Sequence, residues 1–172
     1  MKRISSRLAN LLETEANAYA RLYEILGEEQ SALIEWAVGD LHGIVERKER
    51  HLEQIQRLEI KRMDYLATIQ QDLEEMGFTL PRGQDSIKLS DIITMIGRAE
   101  ATRLRELQEE LARLVKDVTM TNYKNQVLLK RSLEIVNANL DIYTQSERLA
   151  ETYGANGRFS PQVENHLIDG AI

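Results

Sequence analysis

Cysteine is absent from this 172-residue chain, which excludes disulfide staples, thiolate nucleophiles and thiolate metal ligands and suits a reducing compartment. Proline occurs only twice, at Pro81 and Pro161, so little punctuates the chain elsewhere. There is no run of about 18 apolar residues, the length a membrane-spanning helix needs. Lys2 and Arg3 followed by Ala16, Ala18 and Ala20 imitate a secretory leader. Glu13 and Glu15 interrupt the apolar stretch, however, and that reading fails. A basic excess is missing too. The net charge of −6 argues against binding phosphate backbones as the main task. Strand-like alternation, internal repeats of 20 to 50 residues and low-complexity segments are all lacking.

What remains is helix. Hydrophobic residues make up 42% of the chain, enough for one domain with a core. The spacing predicts a first helix from about Ser6 to Ala37, with Leu8, Leu12, Tyr19, Leu22, Leu26 and Leu33 on its buried side. Gly39 reads as its C-cap and Asp40 as the N-cap of the next helix. That second helix runs from about Leu41 to Met76 on a stripe including Ile44, Leu52, Ile55, Met63, Ile69 and Leu73. Gly77 to Lys88 reads as a loop, and Ser90 as the cap of a short helix through Ile92, Ile93 and Ile96. Gly97 either kinks or breaks the chain there.

From Arg98 to about Glu151 the pattern is helical without an internal glycine or proline. Such a helix would be about 80 Å long against about 50 Å for each of the first two. Part of it must therefore project, bend back or bind something. The expected fold is all-α, an elongated antiparallel bundle of three long helices with a short extra helix. After Tyr153 the residues Gly154, Asn156, Gly157, Ser160 and Pro161 end regular structure. The reading is a helical domain over 1–153 and a mobile, flexible C-terminal tail over 154–172.

The third long helix carries the sharpest signal. Leu104, Leu107, Leu111, Leu114 and Val118 step by three and four, and the same steps continue through Thr121, Asn125, Leu128, Ser132, Ile135, Asn139 and Ile142. Polar residues on such a seam weaken packing and need partners. Asn122, Asn125 and Asn139 mark a surface that sets register or awaits another chain. Tyr123, Tyr143 and Tyr153 recur on the same half, where they serve equally as packing residues or as amphipathic contacts for another protein.

Catalytic chemistry finds little support. A di-iron bundle needs Glu three residues before His, but Gly39, Lys48 and Val163 precede His42, His51 and His166. No phosphate loop accompanies Gly39 and Gly43. Acidic neighbours such as Glu28–Glu29, Glu74–Glu75 and Glu109–Glu110 splay around their helices and read as solvated faces. Trp36 reads as packing across the first turn, with an exposed anchor for a partner as the alternative. Neither enzyme activity, nor a metal, nor any other cofactor is expected. A chain of amphipathic helices without catalytic groups points to protein binding, with a partner helix laid along an apolar stripe.

Several motifs then coincide in order. Leu11-Leu12-Glu13, Tyr19, Leu22 and Leu26-Gly27-Glu28-Glu29 open the chain. Asp40-Leu41, Ile44-Val45, Lys48-Glu49, Leu52, Ile55 and Leu58-Glu59 follow. Asn122, Asn125, Leu128-Leu129 and Leu133 come next, and Tyr153-Gly154-Ala155-Asn156-Gly157 closes the series. Over residues 8 to 157 this resembles the FlgN family of flagellar export chaperones. The resemblance implies a cytoplasmic protein that binds the C-terminal helical segment of hook-associated proteins at the hook–filament junction. It would prevent their premature assembly and deliver them to the flagellar type III export gate. It also implies a cargo face of Leu128, Leu129, Leu133, Val136, Leu140 and Tyr143, with Leu149 beyond. Ala155-Asn156 departs from the Pro-Asp of many relatives at the tail. The competing reading is a self-associating coiled-coil structural or adaptor protein, a homo-oligomer with Asn125 fixing register.

Overall fold

The computed structural model describes residues 2–77, 79 and 86–152, with the side chains of Lys2 and of 146–152 outside that description. The tail expected over 154–172 lies outside the described residues. Regular structure among the described residues is wholly helical: α1 (Lys2–Ile34), α2 (Val38–Glu75), α3 (Leu89–Met95) and α4 (Arg98–Thr152). The chain forms two compact units, Met1–Leu128 and Leu129–Ile172, with the division falling inside α4.

In the first unit, α1 and α2 run antiparallel, and paired side chains fix their register. Tyr65 reaches the Ile4 carbonyl, Arg62 meets Glu15, the Tyr19 hydroxyl donates to Glu59, and Lys48 and Arg47 meet Glu29 and Glu28. As the number rises on α1 it falls on α2. The α4 partners rise together with α1 instead. Arg103 meets Glu13 at 3.1 Å and Asn125 meets the Leu26 carbonyl at 2.9 Å, so α4 within this unit runs parallel to α1.

Three apolar clusters hold these helices. Leu8, Leu12, Ile69, Ile92 and Leu104 centre the first, which brings α3 onto α1, α2 and the start of α4. Ala18, Leu22, Leu26 and Ile55 form the second, with Val118 of α4 against it. Ile25, Ala32 and Ile44 form the third, beside the α1–α2 turn.

The turns refine the expected boundaries. The first comes earlier than Gly39, at Trp36, whose φ is +56°. Ala37 N–H returns to the Ala32 carbonyl at 3.0 Å, closing α1, and α2 starts at Val38. Gly39 and Asp40 therefore lie in the first turn of α2, not at a cap. The cause is packing: Ala32 is buried with Ile44, Leu41 and Ala37 beside it, and a later turn would pull these apart. Trp36 does not pack across the turn in full, since half of it is exposed. Gly77 does end α2, with φ +88° and its N–H on the Glu74 carbonyl. The cap of α3 is Lys88 rather than Ser90; its N–H donates to the Asp91 carboxylate at 2.8 Å. Gly97 marks a true break, since α3 ends at Met95 and α4 begins at Arg98.

Two polar groups sit inside the α1–α2 contact at a cost. Glu15 is 1% exposed and 2.8 Å from Arg62. Its burial outweighs the guanidinium and pushes its pKa above the ordinary carboxylate value. Burial also raises the Tyr19 phenol, and the Glu59 carboxylate it donates to raises it further.

Candidate functional site

The 3–4 seam begins inside the first unit. Ala101 and Leu104 are buried, Leu107 and Leu111 pack on the first cluster, and Val118 packs on the second. Leu114, Thr121 and Leu128 are half-buried.

Asn125 interrupts this seam and is 3% exposed. Its Nδ2 donates to the Leu26 carbonyl and to Glu29 Oε2, each at 2.9 Å. The other oxygen of Glu29 accepts from Lys48 of α2. One amide thus ties α4 to α1, and through a buried carboxylate to α2. The interior here remains polar because each charge finds a partner. The Asn125 Oδ1 is buried and without a hydrogen bond. The solvated-face reading holds for Glu28, which is exposed beside Arg47, but not for Glu29, which is buried. A signal for Glu29 existed: it lies three residues beyond Leu26, on the seam side of α1.

In the second unit the described side chains are nearly all exposed; Ser132 alone is half-buried. Leu129, Leu133, Val136, Leu140 and Tyr143 follow the spacing 4, 3, 4, 3 and range from 42% to 70% exposed. Spacing of that kind lines them along one side of the helix. Of the expected cargo face, Leu128 belongs to the first unit and is half-buried. Leu149 lies in α4, but its side chain is outside the described residues. The three asparagines separate: Asn122 is half-buried, Asn125 buried and Asn139 exposed. A second exposed pair, Ile135 and Ile142, continues the seam itself and was not among the expected binding residues. Its phase with Leu107 and Leu114 was the available signal.

The arrangement can bury apolar surface against another helix. Among the described residues, no three His, Cys, Asp or Glu side chains could share a metal ion. His42 is exposed beside Glu46, His51 lies on α2 with Nε2 buried, and His166 is outside the described residues. The concavities are shallow. One of about 190 Å³ lies between α1 and α4, lined by Ser5, Ser6, Ala9, Glu100 and Arg103. No helix among the described residues is long and apolar enough to cross a membrane.

Comparison with known proteins gives one positive result. The family model described as FlgN protein matches residues 1–161. No curated protein and no solved structure matches the chain.

Proposed function

This chain belongs to the FlgN family, a family of flagellar export chaperones, and we propose that it binds the C-terminal helical segments of hook-associated proteins. It acts in the cytoplasm, keeps these subunits from assembling early and hands them to the flagellar type III export gate. The work is binding without catalysis, and residues 1–153 form the chaperone domain that does it.

The observation that carries this reading is the exposed run Leu129, Leu133, Val136, Leu140 and Tyr143. Leu128 and Leu149 extend the same half of α4, and all seven form the proposed cargo face. Monomeric proteins rarely leave such a contiguous apolar strip in water unless something covers it. A partner helix with its own i, i+3, i+4 pattern fits it. The net charge of −6 keeps the unoccupied chaperone soluble. A cargo segment that folds as it binds would lose part of its contact energy to ordering, which favours later release.

The test is titration of the full chain with the purified C-terminal segment of each hook-associated protein from the same genome. A soluble one-to-one complex with at least one of them supports the reading. Absence of binding to all of them rejects it.

Self-association is the second reading, favoured by the continuous heptad seam and the exposure of Ile135 and Ile142. Light scattering at high concentration separates the two, because a monomer removes the coiled-coil dimer.

A further inference from the structure

Two rows, not one, are exposed along residues 129–142 apart from the half-buried Ser132, and we infer that the cargo fills them with a pair of helices, one of which presents a carboxylate to Asn139. This rests on the export-chaperone reading above and specifies the shape and chemistry of what it binds.

The first row is Leu129, Leu133, Val136 and Leu140. Followed back along α4 in the same phase, it meets Arg105, Gln108, Thr119, Asn122 and Gln126, with Ala101, Ala112 and Val115 among them. It is therefore mainly polar before residue 129 and apolar after it. The second row is Ser132, Ile135, Asn139 and Ile142. Followed back, it becomes Leu104, Leu111, Val118 and Asn125, the row that meets α1 and α2 in the first unit. The second row continues an interface this protein already uses for helix packing. Its members follow those of the first row by minus one residue, so the two rows face directions about 100° apart. One docked helix covers the narrower seam of a single row, whereas the two rows together span about 160° of the helix surface. Covering both rows takes two helices.

The polar members define the chemistry. Asn125 and Asn139 are two heptads apart, with Ser132 midway. In the first unit, Asn125 gives its amide protons to a backbone carbonyl and to a carboxylate, and that carboxylate is paired with a lysine. Asn139 holds the same phase and is exposed. A cargo helix that repeats the pattern of α1 offers Asn139 a carbonyl and a Glu or Asp. Leucine there would bind a greasy strip in any register, whereas an amide sets one. A second copy of this chain fits less well. It brings an identical single helix to cover one row of its partner, and each copy carries a net charge of −6.

The experiment uses the full chain and two probes from one hook-associated protein, its last helix alone and its last two helices together. Calorimetry should give the two-helix probe at least about tenfold tighter binding. Ile135→Ser with Ile142→Ser should weaken the two-helix probe by about tenfold or more and leave the one-helix probe unchanged. Leu133→Ser with Leu140→Ser should weaken both. Asn139→Leu should weaken the two-helix probe, and its effect should fail to add to that of replacing a probe carboxylate by its amide. Unchanged circular dichroism in every variant confirms folding, since the altered side chains are exposed. Equal affinity for the two probes overturns the inference and leaves the chaperone reading standing. So does a second-row variant without effect on the two-helix probe. A dimer in light scattering that the second-row variants dissolve overturns it in favour of self-association. Failure of both probes from every hook-associated protein overturns the chaperone reading and this inference together.

Discussion

Replacing Asn125 by alanine removes two hydrogen bonds from the interior of the first unit. The bond to the Leu26 carbonyl is neutral and is worth about 1 kcal/mol; the bond to the Glu29 carboxylate is worth about 1.5–3 kcal/mol. Two gains oppose the loss. The substitution deletes an Oδ1 that is buried without a partner, which recovers roughly 1 kcal/mol. It also exchanges asparagine for the best helix former, worth about 0.5 kcal/mol. The net expectation is a loss of about 1–2.5 kcal/mol. Asn125→Asp should cost more at neutral pH, because it sets a second carboxylate beside Glu29 in a site where only Lys48 supplies charge. That excess should shrink on acidification toward the ordinary carboxylate range, near pH 4. Asn139→Ala serves as the control: its side chain is exposed, and it should change stability by less than about 0.5 kcal/mol. Urea denaturation followed by far-ultraviolet circular dichroism measures all three. If Asn125→Ala matches the control or stabilises the chain, the amide does not join the helices and the argument fails.

Glu15 gives a pH test. Its folded-state pKa is raised, so the folded chain holds that proton more firmly than the unfolded chain does. The associated stability is fully present below about pH 4.5 and is lost as pH rises through the folded value. The stability of the wild type relative to Glu15→Gln should therefore fall as pH climbs from 4 to 7; a rise in urea titrations would contradict the assigned cause. Trp36→Gly should relieve a left-handed backbone conformation that costs an ordinary side chain about 1–2 kcal/mol. Half of the residue is buried, roughly 100 Å² of surface worth about 2–3 kcal/mol, which outweighs that gain, so urea denaturation should show a net loss of about 1 kcal/mol, and a gain in stability would show that the backbone matters more than the indole. Leu133→Ser with Leu140→Ser should leave the urea midpoint unchanged and reduce binding of a hook-associated segment by roughly 10–100-fold. Retained affinity in calorimetry would remove these leucines from the binding face.

The helices were legible because their apolar residues recur with the helical period over thirty residues or more. Leu8, Leu12, Leu22 and Leu26 read as buried and are buried. Gly77 read as the end of α2 and is, because few other residues adopt its backbone angle easily. The first turn misled. Gly39-Asp40 carries the local signal, but the packing of Ala32 on Ile44 closes the hairpin three residues earlier, through a tryptophan. Glu29 misled similarly, because a carboxylate next to another reads as surface until the lysine and amide opposite it are known. On the candidate face, periodicity located both rows along 129–142. It could not show that Asn125 is covered and Asn139 open, since the two share one phase and differ only in what stands opposite.

The matched charges between α1 and α2 bear on how the polypeptide is made. Glu15, Glu28, Glu29 and the acceptor for Tyr19 are met by groups that all arrive within the first 62 residues. The cations that meet Glu15, Glu28 and Glu29 stand on α2, so α1 gains these pairs from its own hairpin and not from α1 of a neighbouring nascent chain. The hairpin can close while the ribosome is still adding α4, and that last rod then settles into a trough already built for it.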